Sequence, residues 1–504
     1  MELIMKKVSV IAAAVATALM AGSAIAAEAS LEERVAQLEA QLAETTAVAE
    51  EAQATASEAD SGFEFHGYAR QGVVYNGDGS RLDKGGFHDQ GAFFHPAAPY
   101  LHNYRLGNEP HNYLEANLSK KWTTESGTWA KFYTTLATHQ YYADSAFSEG
   151  NGGDDNDLSF RQVYAEMGNL DFLPQGATMW AGKRYYGRAD IYQSDFLYRI
   201  YDGTGIGVQN IAVGEQSLDI AYITADRGSW TPQDADGIDE LQHNLNVAYK
   251  GVKGLGGSFD FEMNLAYAGN RADNTGTIDG VAVDTDKPEF GYNFAVTYGR
   301  GDFFGFADGW SKVAVMAGGG LGASHQSNTL FINNEDAFGA RVAAFGVWDI
   351  SDDWDMMAEF VYDRNKDGEY LTDDSVNGYT GGTQDIEYYT VGVMPVYKVT
   401  QNFSIQSQFS YEYGSSDFEG SKDYKIWHGG SAYLDGSSMY KATIAPTVTL
   451  DSGNFWAKPT FRAFATYATW DDEIGATGQG VGTNGSATDN DYEITYGVQM
   501  EVWF

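Results

Sequence analysis

The 504 residues include 59 glycines, 33 tyrosines, 28 phenylalanines and no cysteine, and 70 acidic against 31 basic side chains give a formal charge of −39. The lack of cysteine excludes a disulfide framework and a thiolate metal site, and the acid excess argues against nucleic acid as a partner. A negative mean hydropathy excludes a helical membrane bundle but suits strands that are apolar on one face only, and a large barrel would absorb the whole length as one domain.

Residues 1–26 read as a secretory signal peptide. Lys6 and Lys7 precede an apolar, alanine-rich run over residues 8–21, and Ala24, Ile25 and Ala26 supply small residues at a cleavage position. A spanning anchor is the alternative, disfavoured because the run is short. Met5 is as good a start as Met1. Residues 27–53 carry Leu31, Val35, Leu38, Leu42, Thr45, Ala49 and Ala52 at four-three spacing, which predicts a short α-helical coiled coil and hence an oligomer. A single solvated spacer helix would also carry this pattern. Residues 54–62 read as a linker.

From Phe63 to the end, side chains alternate with period two. Phe259, Phe261, Met263, Leu265 and Tyr267 oppose Asp260, Glu262 and Asn264; Tyr440, Ala442, Ile444, Val448 and Leu450 oppose Lys441, Thr443, Thr447 and Thr449. About eighteen such segments are expected, an even number that suits an all-β, antiparallel transmembrane barrel over residues 63–504. Short turns (214–216, 351–353, 451–453) alternate with long polar connections (76–109, 139–157, 226–240, 365–384, 471–490), as in barrels with short periplasmic turns and long external loops. The last segment places Tyr492, Ile494, Tyr496, Val498, Met500, Val502 and Phe504 on a lipid face, and Glu493, Thr495, Gly497, Gln499, Glu501 and Trp503 on the other. Ending on Phe504 fits a closing strand in an outer membrane.

Parity then assigns aromatics to the wet side. Around Phe63, Phe65 and Ala69 it leaves His66, Tyr68 and Arg70 inside; Tyr113 and Glu115 share the lumen; Phe461, Ala463 and Ala465 face out, so that Trp456, Lys458 and Arg462 face in; Trp503 is inward. A ring on a wet wall is costly unless a ligand with an apolar face and polar edges slides over it, and sugars have both. Packing under an inward-folded loop is the plainer explanation for any one ring.

Six stretches, 65–70 (FHGYAR), 104–109 (YRLGNE), 180–185 (WAGKRY), 354–357 (WDMM), 464–468 (FATYA) and 499–503 (QMEVW), resemble the maltoporin family of sugar-specific porins, in order and from Phe63 to the end. The N-terminal heptads are similar to those of the sucrose porin branch. The resemblance implies an eighteen-stranded trimeric channel with an aromatic line for sugar stacking and a flanking polar track. Position by position it implies Tyr68, Tyr113, Trp456 and Trp503 for the line, and Arg70, Arg105, Glu115, Arg161, Arg188 and Asp195 for the track; Phe331 is taken as the remaining ring without a positional match. Residues 185–201 resemble the third loop, which folds inward and narrows the pore. Leu197 stands where the family has a constriction tyrosine, Pro110 occupies the position of one of its loop cysteines, and none of Tyr141, Tyr142 and Phe147 matches the aromatic supplied by a neighbouring subunit.

Asp363, Asn365, Asp367 and Asp374 around Gly368 approach a calcium loop, without the closing glutamate or flanking helices; a solvated hairpin tip explains the same residues. Apart from that structural calcium, no cofactor is expected. Glu115 and Asp195 could suggest a glycosidase pair, but their arginine neighbours favour ionised carboxylates over a proton donor. The expectation is a non-enzymatic, homotrimeric porin of a Gram-negative outer membrane, with the N-terminal segment in the periplasm, passing maltodextrins or related oligosaccharides. A general or ion-selective porin, or a secreted β-rich glycosidase or lectin, are the competing readings.

Overall fold

Alternation makes each segment amphipathic across its width, so the strands can hide one face only by closing on themselves. In the computed structural model the described residues are 62–77, 79, 104, 106–107, 112–140, 159–226, 241–269, 274–278, 281–285, 289–325, 335–370, 382–419, 434–470 and 492–504. The signal peptide, the heptad segment and all of the linker except Gly62 lie outside them. Among the described residues, eighteen strands form one sheet, from Phe63–Asn76 to Tyr492–Trp503. Chain neighbours pair antiparallel from Asn112–Thr123 onward, and the first strand pairs both the second and the last. This is an all-β antiparallel barrel. At its seam Gly67 and Phe504 exchange backbone hydrogen bonds of 2.8 and 3.0 Å. A Cβ on Gly67 would lie 2.3 Å from the Phe504 ring, so only glycine lets that ring cover the seam.

The outward face exposes Phe261, Phe294, Val315, Ile444 and Phe461, while Asn244, Asn264, Thr443, Thr447 and Gln499 are buried on the inner face. Among the described residues no helix is long and apolar enough to cross a membrane; the outer wall is the apolar surface. Tight two-residue turns at 214–215, 255–256, 352–353 and 401–402 mark one end, and the wide connections leave from the other. Two boundaries differ from expectation. The connection expected over 365–384 shrinks, because the strands run on to Tyr370 and restart at Gly382. The expected turn at 451–453 widens to residues 450–459, so Trp456 and Lys458 sit on a turn and not in a strand.

Residues 185–202 leave the wall and enter the bore, carrying the short pair Ala189–Ile191 and Phe196–Arg199. They touch strands on every side. Tyr201 donates to Asn293 (2.8 Å), Arg341 to the Tyr198 carbonyl (2.6 Å), Ser194 to Glu359 (3.1 Å), Gln193 to the Gly392 carbonyl (3.1 Å) and Tyr192 to Glu501 (2.9 Å), and Arg199 pairs with Glu262 (2.6 Å). One short segment can reach all of these only from inside the cylinder. Its apolar residues Ile191, Phe196 and Tyr198 join a buried cluster with Met316, Phe345, Met357, Met394 and Trp470. That burial offsets the cost of ordering a segment with so little regular structure.

Candidate functional site

Because Tyr68 and Trp503 are register partners on the two seam strands, their rings are neighbours by construction. Tyr113, on the strand beside them, continues the row. Ring centroids are 6.0 Å apart from Tyr113 to Tyr68, 6.4 Å from Tyr68 to Trp503 and 6.3 Å from Trp503 to Trp456. Trp456 and Trp503 remain 36% and 38% exposed, so ring surface stays accessible to whatever enters the bore. Trp310 lies 6.4 Å beyond Trp456, and Phe345 a further 5.9 Å on. Tyr192, from the inward segment, meets Trp456 and Trp503 edge-on at 5.2 and 5.9 Å.

A charged network holds these rings. Glu501, buried, accepts hydrogen bonds from Lys458 (2.9 Å), Arg462 (3.0 Å), Tyr192 (2.9 Å) and Tyr68 (3.2 Å). Lys458 also donates to the Tyr192 hydroxyl (2.9 Å), and its ammonium stands 4.5 Å from the Trp503 ring centroid. One carboxylate thus fixes two cations and two phenols, with a cation–π contact added on Trp503.

The polar residues named from sequence fall into two groups. Arg70 reaches the Tyr68 hydroxyl (3.4 Å) and the Asp195 carboxylate (3.9 Å). Glu115 accepts from both Tyr113 and Tyr185, the latter at 2.6 Å. Burial first, and then the Glu115 charge, push the Tyr185 phenol up, so it remains a hydrogen-bond donor. Arg188 lies over the Tyr185 ring, 3.3 Å from its centroid, and donates to Asp202 (2.6 Å). Arg161 occupies a bulge where pairing steps from Gln162 to Phe160, and its charge acts on both Tyr113 and Tyr185. A bulge re-aims a side chain that strict alternation would send to lipid. Arg105 lies between Tyr104 and Leu106, which bond to Thr390 (2.7 Å) and Gln408 (3.1 Å), but is itself outside the described residues, as are Phe331, Pro110, Tyr141, Tyr142 and Phe147. Leu197, at the tyrosine-replaced position, pairs with Asp190 in the inward segment.

The residues considered for calcium are in a different setting from the hairpin tip expected. Asp363, Asn365 and Asp367 lie in the strand Trp354–Tyr370. Asp363 is buried against Arg341, Asn365 donates to Asp363 (3.0 Å), and Asp385 accepts from the Asp367 backbone (2.8 Å). Extended backbone keeps Asp363 and Asn365 on one face, whereas Asp367, at a φ of 51°, lies where the register with the next strand shifts. Among the described residues no group of three acids or histidines is placed to hold a metal, and Asp374 lies outside them. Sequence reading placed Glu501 on the inner face but gave it no role, and it passed over Trp310 and Tyr192. Parity alone would have placed Trp310 inward, but nothing local singles out Tyr192.

A family profile described as LamB porin matches residues 63–504. Two maltoporins of Vibrio cholerae serotype O1, from strains ATCC 39541 / Classical Ogawa 395 / O395 and M66-2, are each 29% identical over 515 residues, covering 100% of this chain and 100% of theirs. Among solved structures, the outer membrane protein OprD from Pseudomonas aeruginosa is similar at 7% identity and a TM-score of 0.43, over 88% of this chain and 94% of that one.

Proposed function

The chain belongs to the LamB porin family, and from that premise we propose how its bore conducts sugars. It is a sugar-specific outer-membrane porin of the maltoporin family and not an enzyme. In our reading the solutes are maltodextrins or related oligosaccharides, which slide along Tyr113, Tyr68, Trp503 and Trp456 and on to Trp310, a better-supported last ring than Phe331. Arg70, Arg105, Glu115, Arg161, Arg188 and Asp195 exchange hydrogen bonds with the sugar hydroxyls. The single observation behind this is the unbroken spacing of rings beside fixed charges. Each contact is weak and repeated, which favours transit over retention. Planar-bilayer conductance with added maltodextrins or sucrose tests it: saturable block supports the path, and unblocked current would favour a general pore.

Three further parts of the reading go with it. The working unit is a homotrimer whose contact wall is the outer face of the strands Asn112–Thr123, Trp129–Gln140, Ser159–Gly168 and Thr178–Arg184. That face carries Leu114, Ala116, Phe132, Thr134, Thr138, Phe160, Ala165 and Ala181 but, among the described residues, no tyrosine, whereas the rest of the rim carries Tyr222, Tyr267, Tyr292, Tyr389, Tyr411, Tyr440, Tyr467, Tyr492 and Tyr496. A gap in the tyrosine girdle suits protein better than lipid. Residues 1–26 direct export, and residues 27–53 form a periplasmic coiled coil of the sucrose porin type, joined by the 54–62 linker. Native mass spectrometry of the detergent-extracted full chain should give three copies; a monomer would overturn the oligomer.

A further inference from the structure

The strands Trp354–Tyr370, Gly382–Thr400 and Phe403–Glu419, of 17, 19 and 17 residues, outrun strands such as Ser159–Gly168, of 10. At about 3.3 Å per residue the excess carries them well past the hydrocarbon edge on the side of the wide connections. Tyr389, Tyr411, Tyr413 and Tyr440 mark that edge on the outer face, with centroids 5.0 Å apart from Tyr389 to Tyr413 and 4.8 Å from Tyr411 to Tyr440. Tyr362 is the register partner of Tyr389 and belongs to the same row.

Directly above Tyr362 on the same face come Arg364 and then Lys366. Their outward direction follows from their neighbours. Asp363, between Tyr362 and Arg364, is buried inside against Arg341, and Lys366 pairs in register with Phe338, which is 42% exposed on the outer wall. Both cations are exposed. Glu387, opposite Arg364, accepts from the Tyr362 hydroxyl (3.2 Å), and Lys366 makes a loose contact with Asp367 at 3.6 Å. On the tyrosine-girdled wall, among the described residues, this is where outward cations stand one and two steps beyond the girdle. A chain with 70 acidic and 31 basic residues gains nothing in solvation from placing them there.

We infer that Arg364 and Lys366 form a binding site for the phosphate of a glycolipid in the outer leaflet, whose acyl chains lie along the Tyr362 and Tyr389 row. The height matches: a ring row marks the edge of the hydrocarbon, and phosphates lie immediately beyond it. Arginine supplies a planar fork for phosphate and lysine a mobile charge. The site lies on the outer wall, away from the sugar path.

The test uses the full-length protein in detergent, titrated by native mass spectrometry with bisphosphorylated lipid A and, separately, with dephosphorylated lipid A. The wild type should retain the phosphorylated form preferentially. The variant Arg364→Gln/Lys366→Gln should lose roughly thirtyfold in apparent affinity for it, from about one charge contact per residue, with no change for the dephosphorylated lipid. Sugar block of the variant should equal that of the wild type, which also reports that the barrel has folded. Equal retention of the two lipids by the wild type, or an unchanged affinity in the folded variant, would overturn the site.

Discussion

Tyr68 on the inner wall and Tyr389 on the outer wall are the same residue type in the same kind of strand, yet their surroundings differ in kind. Tyr68 gives its hydroxyl to Glu501 and lies between Tyr113 and Trp503, with Arg70 at 3.4 Å. Tyr389 stacks at 27° on Tyr413 and lies beside Tyr411, among rings on the lipid face. Aromatic content therefore says little about recognition by itself. What distinguishes the inner rings is that fixed charges hold them in contact with water, whereas the outer rings are satisfied by one another and by lipid.

The sharpest way to break this contrast is to remove the charge that organises the inner wall. Glu501→Gln leaves Lys458 and Arg462 buried without their carboxylate and should cost about 3–5 kcal/mol, read from denaturant unfolding of the detergent-solubilised barrel. A loss below about 1 kcal/mol would mean water compensates the two cations. Next in size, Trp456→Ala and Tyr113→Ala should each weaken maltodextrin block by about 1–3 kcal/mol in bilayer titrations, in line with flat ligands on aromatic platforms. Unchanged block in both would end the stacking path. Trp310→Ala should fall at the low end of that range, about 1 kcal/mol, as the terminal ring of the series, and an effect of Phe331→Ala instead would favour the residue named from sequence. Smallest, Tyr389→Ala should lower stability by about 0.5–1.5 kcal/mol through lost ring pairs while leaving sugar block untouched. A change in block there would erase the distinction between the two walls.

How far the sequence reached can be traced residue by residue. The segment ending at Trp503 was legible because face assignment in a strand depends only on odd or even position. Trp456 was assigned inward by extending that parity through residues that form a turn; it lies against Trp503 all the same, with its backbone N–H held by Asn454 at 2.9 Å. Arg161 escapes parity through a bulge that only pairing with the strand Trp129–Gln140 reveals. Asp363, Asn365 and Asp367 resemble a calcium loop because acidic spacing looks alike in a loop and in a strand, and only the pairing shows that they lie in the strand Trp354–Tyr370.

Read alone, the chain determined the barrel, its strand number and the two faces of most strands, since these follow from a repeat two residues long. The inward course of residues 185–201 was expected from the family resemblance, but only the closed structure decided that Tyr192 would meet Trp503 and that Lys458 and Arg462 would share Glu501. Those contacts join residues far apart in the chain, 39 positions for Arg462 and Glu501 and 309 for Tyr192 and Glu501, and no local pattern records which strand will face a segment once the cylinder has closed.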